Sequence, residues 1–148
     1  MKTEVKQMVA DALSRLELDR TKNIKEQISF GQYIEDYQLI QISLQRGAGH
    51  TSTAIELMQE YPNSFCVTVD DNTKKHMESL MWYFYRDWMD NISKRTVITT
   101  SPELHWPEIN EDKYDIMIID DASKIPTSRL STLYARYSDK VKLILELQ

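Results

Sequence analysis

Two short stretches of this sequence carry the residue types that handle a phosphate and a divalent metal ion. The first is Gln45-Arg46-Gly47-Ala48-Gly49-His50-Thr51-Ser52. Its two glycines let the backbone curl close to a phosphate, and a helix beginning just beyond would offer free N–H donors and partial positive charge. Thr51 stands where a hydroxyl can ligate Mg²⁺. The second stretch is Asp120-Asp121 at the end of the apolar run Ile116-Met117-Ile118-Ile119. There Asp120 can hold the metal and Asp121 can orient a nucleophilic water. Each stretch also has a plainer reading. Thr53 with Glu56 can form a capping box that starts a helix without any ligand, and an Asp pair after a strand can serve as a turn and cap. Asp70-Asp71, after another apolar run, reads first as a solvated turn.

These residues need strands and helices to bring them together, and the hydrophobic spacing supplies both. Val5, Met8, Val9, Ala12, Leu13 and Leu16 recur at three and four residues, which predicts an amphipathic helix. A second, less regular helical segment follows, from Ile24 and Ile28 through Phe30, Tyr33, Ile34 and Tyr37, with a break near Gly31. Strands are expected at Leu39–Leu44, Phe65–Val69, Thr96–Thr100, Tyr114–Ile119 and Val141–Leu147. Between them lie helices over about Thr51 to Tyr61, over the stripe Met77, Leu80, Met81, Phe84, Tyr85 and Trp88, and after a cap at Thr127 or Ser128.

Strands alternating with helical crossovers predict an α/β fold: a three-layer sandwich with a mainly parallel five-stranded sheet and N-terminal helices. Residues 1–37 form the helical extension and 38–148 the core of a single domain, with Leu39–Leu44 and Tyr114–Ile119 both central and adjacent or one strand apart. Ligands in such sheets bind beyond the carboxyl ends of the strands, where both candidate stretches fall.

Composition narrows the function classes. The chain has 148 residues, formal net charge −5, three Gly, four Pro and one Cys. A generally basic nucleic-acid surface is disfavoured, although Lys74-Lys75 and Lys94-Arg95 leave local patches open. Cys66 alone makes no internal disulfide and fits a buried thiol in a reducing compartment, so a cytoplasmic location is expected. No run of apolar residues is long enough to span a membrane. His50, His76 and His105 are too dispersed for a zinc signature, and no G-x-S-x-G elbow appears.

With both stretches in order, each behind an expected strand, the sequence resembles the P-loop NTPases, particularly the helicase, recombinase and phage terminase branch. Gly47-Ala48-Gly49-His50-Thr51-Ser52 is similar to the second half of a Walker A motif, and Ile116–Asp121 to Walker B; the resemblance spans roughly Leu39 to Leu147. It implies nucleotide binding by Arg46, Gly47, Ala48, Gly49, His50, Thr51 and Ser52, with ATP and Mg²⁺ as cofactors, Thr51 and Asp120 on the metal, and Asp121 catalytic. Two positions depart from the pattern. Leu44 replaces the first glycine, and His50 stands where the phosphate-binding lysine belongs, so hydrolysis is expected to be weak or absent. The implied setting is a viral DNA-processing accessory protein in the host cytoplasm. The alternative is a degenerate P-loop module that binds a DNA-processing protein, or itself, without nucleotide.

Overall fold

A computed structural model describes residues 2–21, 28–44, 50–84, 97–99 and 114–148. The loop residues Gln45, Arg46, Gly47, Ala48 and Gly49, and the stripe residues Tyr85 and Trp88, lie outside that set.

Chain order is α1 (Lys2–Thr21), α2 (Phe30–Tyr33) continuing into a π-helical turn (Ile34–Gln38), β1 (Leu39–Ile42), α3 (His50–Glu60), β2 (Ser64–Thr68), α4 (Asp71–Phe84), β3 (Val97–Thr99), β4 (Tyr114–Ile119), a 3₁₀ turn (Ala122–Lys124), α5 (Thr127–Tyr137) and β5 (Val141–Leu147). The strands form one sheet in the order β1-β5-β4-β2-β3, and every pairing is parallel. An α/β fold with a parallel sheet is therefore present. Two neighbours in this sheet, β4 and β5, are joined by α5, the crossover that a parallel pairing requires.

β1 is not central. It is the edge strand of the described sheet, and β5 separates it from β4. Leu39–Leu44 alternates and is only partly covered, which suits an edge: Leu39 and Ile40 are half-buried, Gln41 is exposed and only Ile42 is buried. The strand ends at Ile42, two residues before the expected limit, although the Leu44 N–H still bonds to the Gln148 carbonyl. The inner strands read differently. All five residues of β2 are buried, as are Ile116 to Ile119 of β4, the continuous burial of strands covered on both faces.

Strand residues alternate between two cores. Ile42, Cys66, Ile116, Ile118, Leu143, Leu145 and Leu147 face α1, α3 and α4, whose Val9, Leu57, Met58, Met77 and Met81 complete one cluster. Phe65, Val67, Met117, Ile119 and Ile144 face the other way, against Ile34, Ala122, Ile125, Leu133 and Tyr137. In α1, Val5, Val9, Ala12 and Leu16 are buried while Met8 is 46% exposed, so the apolar stripe is narrower than its sequence spacing predicts. In α4, Met77 and Met81 are buried and Leu80 packs against them.

Several local expectations are corrected. The break expected near Gly31 falls at the non-helical Ile28 and Ser29, and Gly31 itself is helical. Thr53 is a buried residue inside α3, which is already under way at His50, so no capping box at Thr53 starts that helix. Pro126 is the N-cap of α5 and offers no side-chain bond; Thr127 is already helical, with the ring fixing the entry angle instead. No helix among the described residues is long and apolar enough to cross a membrane.

Phe65 makes edge-to-face contacts with Tyr114 (ring centroids 5.1 Å apart) and Tyr137 (5.4 Å), all in the second core. Because Phe65 is fully buried, Phe65→Ala is expected to destabilise by about 3–5 kcal/mol in urea unfolding. A loss below about 1 kcal/mol would mean that this core is not packed as described.

Candidate functional site

The carboxyl ends of β4 and β2 are where the chain departs to opposite faces: β4 leads to α5 over the second core, β2 to α4 over the first. Such a switch point opens a crevice in a parallel sheet. Asp120 stands there. Its N–H donates to the Val67 carbonyl at 2.9 Å, which extends the β4–β2 ladder by one bond and fixes the carboxylate's position.

Asp120 follows four buried apolar residues and is itself only 2% exposed. Thr51, in the first turn of α3, donates its Oγ1–H to Asp120 Oδ2 at 3.2 Å. The other oxygen, Oδ1, is buried with no hydrogen-bond partner. Burial raises the Asp120 carboxyl above its ordinary value of 3.8; the Thr51 bond and the nearby His50 pull it down, and Asp121 pushes it up. Behind it, burial pushes the Cys66 thiol well up, with the Asp120 charge adding to the effect, so Cys66 is protonated and inert rather than a nucleophile.

His50 begins α3. Its Nε2 lies 2.8 Å from the Gln148 carbonyl oxygen. A carbonyl only accepts, so Nε2 carries the proton, and in the neutral ring Nδ1 is left as an acceptor. The Gln148 carbonyl also takes the Leu44 N–H at 2.9 Å. The start of α3 is thus seated over the end of β5, with Thr51 reaching past it to β4.

Asp121 has φ 55 and ψ 49, a left-handed conformation unusual for a residue with a side chain. Its Oδ2 pairs with Lys124 Nζ at 3.1 Å. The carboxylate is therefore tied to its own 3₁₀ turn while still bordering the site. Together His50, Thr51, Ser52, Thr73, Leu80, Asp120 and Asp121 line a cavity of about 390 Å³.

The sequence-expected residues thus divide into three groups. His50, Thr51, Ser52, Asp120 and Asp121 come together in one cavity. Arg46, Gly47, Ala48 and Gly49 lie outside the described residues. Asp70 and Asp71 serve α4: Asp70 Oδ1 accepts the Thr73 N–H and hydroxyl, each at 2.7 Å, which holds its carboxyl below the usual range, and Asp71 pairs with Lys75 at 3.1 Å. The solvated-turn reading of that pair holds for Asp70, exposed in a bend, while Asp71, also exposed, is the first residue of α4. Sequence reasoning missed Gln148, whose role is carried by its backbone carbonyl and so leaves no side-chain signature, and Thr73 and Leu80, which α4 brings to the cavity wall.

The Thr51 hydroxyl and the Asp120 carboxylate are hard oxygen donors of the kind Mg²⁺ takes, and the buried, unsatisfied Oδ1 is the lone-pair donor such an ion would satisfy. No group of three or more His, Cys, Asp or Glu side chains among the described residues is arranged to hold a metal; a Mg²⁺ held by one carboxylate, one hydroxyl, waters and phosphate oxygens needs no such group. Comparisons with protein-family models, curated proteins and solved structures found no match.

The raised Asp120 carboxyl has a consequence for stability. The folded chain keeps this proton at a pH where the unfolded chain has released it, so the contribution of Asp120 is most favourable below 3.8 and is lost as pH rises through the raised folded value. Asp120→Asn leaves an oxygen for Thr51 but carries no charge. The stability of Asp120→Asn relative to the parent should therefore grow across that window and level off above it, as read from urea unfolding at a series of pH values. A difference that does not vary with pH would show that Asp120 is not desolvated.

Proposed function

We propose that the chain is a P-loop-type nucleotide-binding domain, three-layered in its core, that takes the phosphates of an ATP-like nucleotide with Mg²⁺ and hydrolyses it slowly or not at all. The observation that carries this reading is the Thr51–Asp120 contact: a hydroxyl from the helix after β1 meets a buried carboxylate from the end of β4, with one carboxylate oxygen unsatisfied and both residues lining one cavity. Those two groups would hold Mg²⁺, which supplies charge neutralisation for the phosphates.

The remaining residues define what the chain itself contributes. The N–H groups at the start of α3 point where phosphate oxygens would lie, and Ser52 borders the same space. His50 lacks a lysine's permanent charge, and its proton is committed to Gln148. Asp121 would orient the attacking water only after loosening its pair with Lys124. Both features favour binding over turnover. A second reading, a module that binds a partner protein and no nucleotide, is favoured by Trp82 and Tyr83 on α4, which are 51% and 78% exposed.

Calorimetric titration with ATP and ADP, with and without Mg²⁺, separates the two. Binding should require Mg²⁺ and fall by tenfold or more in Asp120→Ala. His50→Lys should strengthen binding about tenfold, or about 1.4 kcal/mol. Asp121→Asn in that background should remove any hydrolysis gained while leaving binding largely intact. Undetectable binding in both the parent and His50→Lys would refute the nucleotide reading and leave the interaction module.

A further inference from the structure

β5 reads Val141-Lys142-Leu143-Ile144-Leu145-Glu146-Leu147, and Glu146 is buried to the same degree as its apolar neighbours, at 1% exposure. A carboxylate there needs partners for four lone pairs. Oε2 accepts from the side-chain amides of Gln41 at 2.9 Å and Gln148 at 3.2 Å. Oε1 is buried and has no hydrogen-bond partner. No lysine, arginine or histidine among the described residues forms an ion pair with Glu146. Two neutral amides do not replace the hydration of a full negative charge, so the group is under-compensated as it stands.

Glu146 forms part of the wall of a second cavity, about 610 Å³, which lies on the face of the sheet opposite Asp120. Along β5 the odd positions 143, 145 and 147 face the first core, whereas Ile144 belongs to the second and Glu146 shares its side. Leu39, Ile125 and Leu130 give this cavity an apolar wall, Glu35 adds a second carboxylate, and none of the described lining residues is basic. The volume is that of an ordinary small-molecule pocket.

We infer that this cavity binds an organic cation, an alkylguanidinium or alkylammonium group whose N–H donors satisfy Glu146 Oε1 and whose carbon chain lies on the apolar wall. Among the described residues an anion meets two carboxylates and no counter-charge. No group of three or more His, Cys, Asp or Glu side chains among the described residues is arranged here to hold a metal ion. A cation with an apolar body uses both halves of the lining, and neutralising a buried carboxylate is where such a ligand gains most. The site stands apart from the nucleotide reading, since it lies on the other face and shares no lining residue with the first cavity.

Isothermal titration with butylguanidinium tests the site, and Nα-acetylarginine methylamide distinguishes a free small cation from an arginine side chain presented on a polypeptide. Binding of the first alone assigns the site to a free cation; binding of both assigns it to an arginine side chain. Either should be weakened tenfold or more in Glu146→Gln. A Cβ added at Gly31, on the cavity wall, would meet nothing within 4 Å, so Gly31→Leu narrows the cavity without straining the fold and should weaken binding as well. Asp120→Asn should leave it unchanged. Absence of binding by both probes to the parent chain, or unaltered binding in both Glu146→Gln and Gly31→Leu, overturns the assignment.

Discussion

A carboxylate that follows four fully buried strand residues has little freedom, and the arrangement of this molecule's sheet end follows from where Asp120 is held. Its backbone is bonded to Val67 in β2 and its side chain to Thr51 in α3, so a single residue links β4, β2 and the helix after β1. The link is under electrostatic load. Desolvation disfavours the charge, and leaving a buried polar atom without a partner is unfavourable by on the order of 1–3 kcal/mol. A fold retains such a feature against ordinary packing pressure, and the Thr51 hydroxyl offsets only one of the two oxygens. An unsatisfied carboxylate of this kind, lining a cavity, is the feature on which the nucleotide reading proposed above rests.

The edge position of β1 makes this geometry possible. Because β5 lies between β1 and β4, the start of α3 must pass over the end of β5 before Thr51 can reach Asp120. Gln148 provides the support. Its N–H donates to Ile42, its carbonyl accepts from Leu44 and from His50, and its side-chain amide turns to Glu146 on the opposite face. One residue therefore anchors the helix that carries Thr51 and also one wall of the second cavity.

How much of this was legible in the sequence depended on what kind of signal each element leaves. Tyr114–Ile119 and Val141–Leu147 were readable to the residue because burial on both faces leaves a dense apolar run, Ile116–Ile119 in one and Leu143–Leu145 in the other. The limits of β1 were less sharp: the strand itself ends at Ile42, but Gln148, just beyond β5, donates to the Ile42 carbonyl and accepts from the Leu44 N–H, so backbone pairing runs on to Leu44 as the alternation suggests. Spacing alone could not distinguish a central strand from an edge one, since order in a sheet is set by crossovers rather than by local pattern. The gathering of Thr51 and Asp120, 69 residues apart in the chain, was legible as order and strand context. The engagement of His50 with a backbone carbonyl and of Asp121 with Lys124 was not, because both depend on groups with no motif of their own. Glu146 did leave a signal, a lone acid in a strand of hydrophobic residues, which periodicity passes over because it scores the strand as a whole.

The first cavity, taken by itself, sets an order of events for any polyphosphate that enters it. Its described lining includes two carboxylates and no lysine or arginine, Arg46 lying outside the described residues, and the proton on His50 Nε2 is shared with Gln148 rather than aimed at the opening. A triply or quadruply charged nucleotide meets net negative potential there unless a divalent cation neutralises Asp120 beforehand or arrives with the phosphates. With a lysine at position 50 the protein would carry that charge permanently and the metal would be an addition to it. On the nucleotide reading proposed above, a histidine at this position would make the metal a condition of binding rather than an addition to it, with Thr51 and Asp120 as the described residues that would hold it.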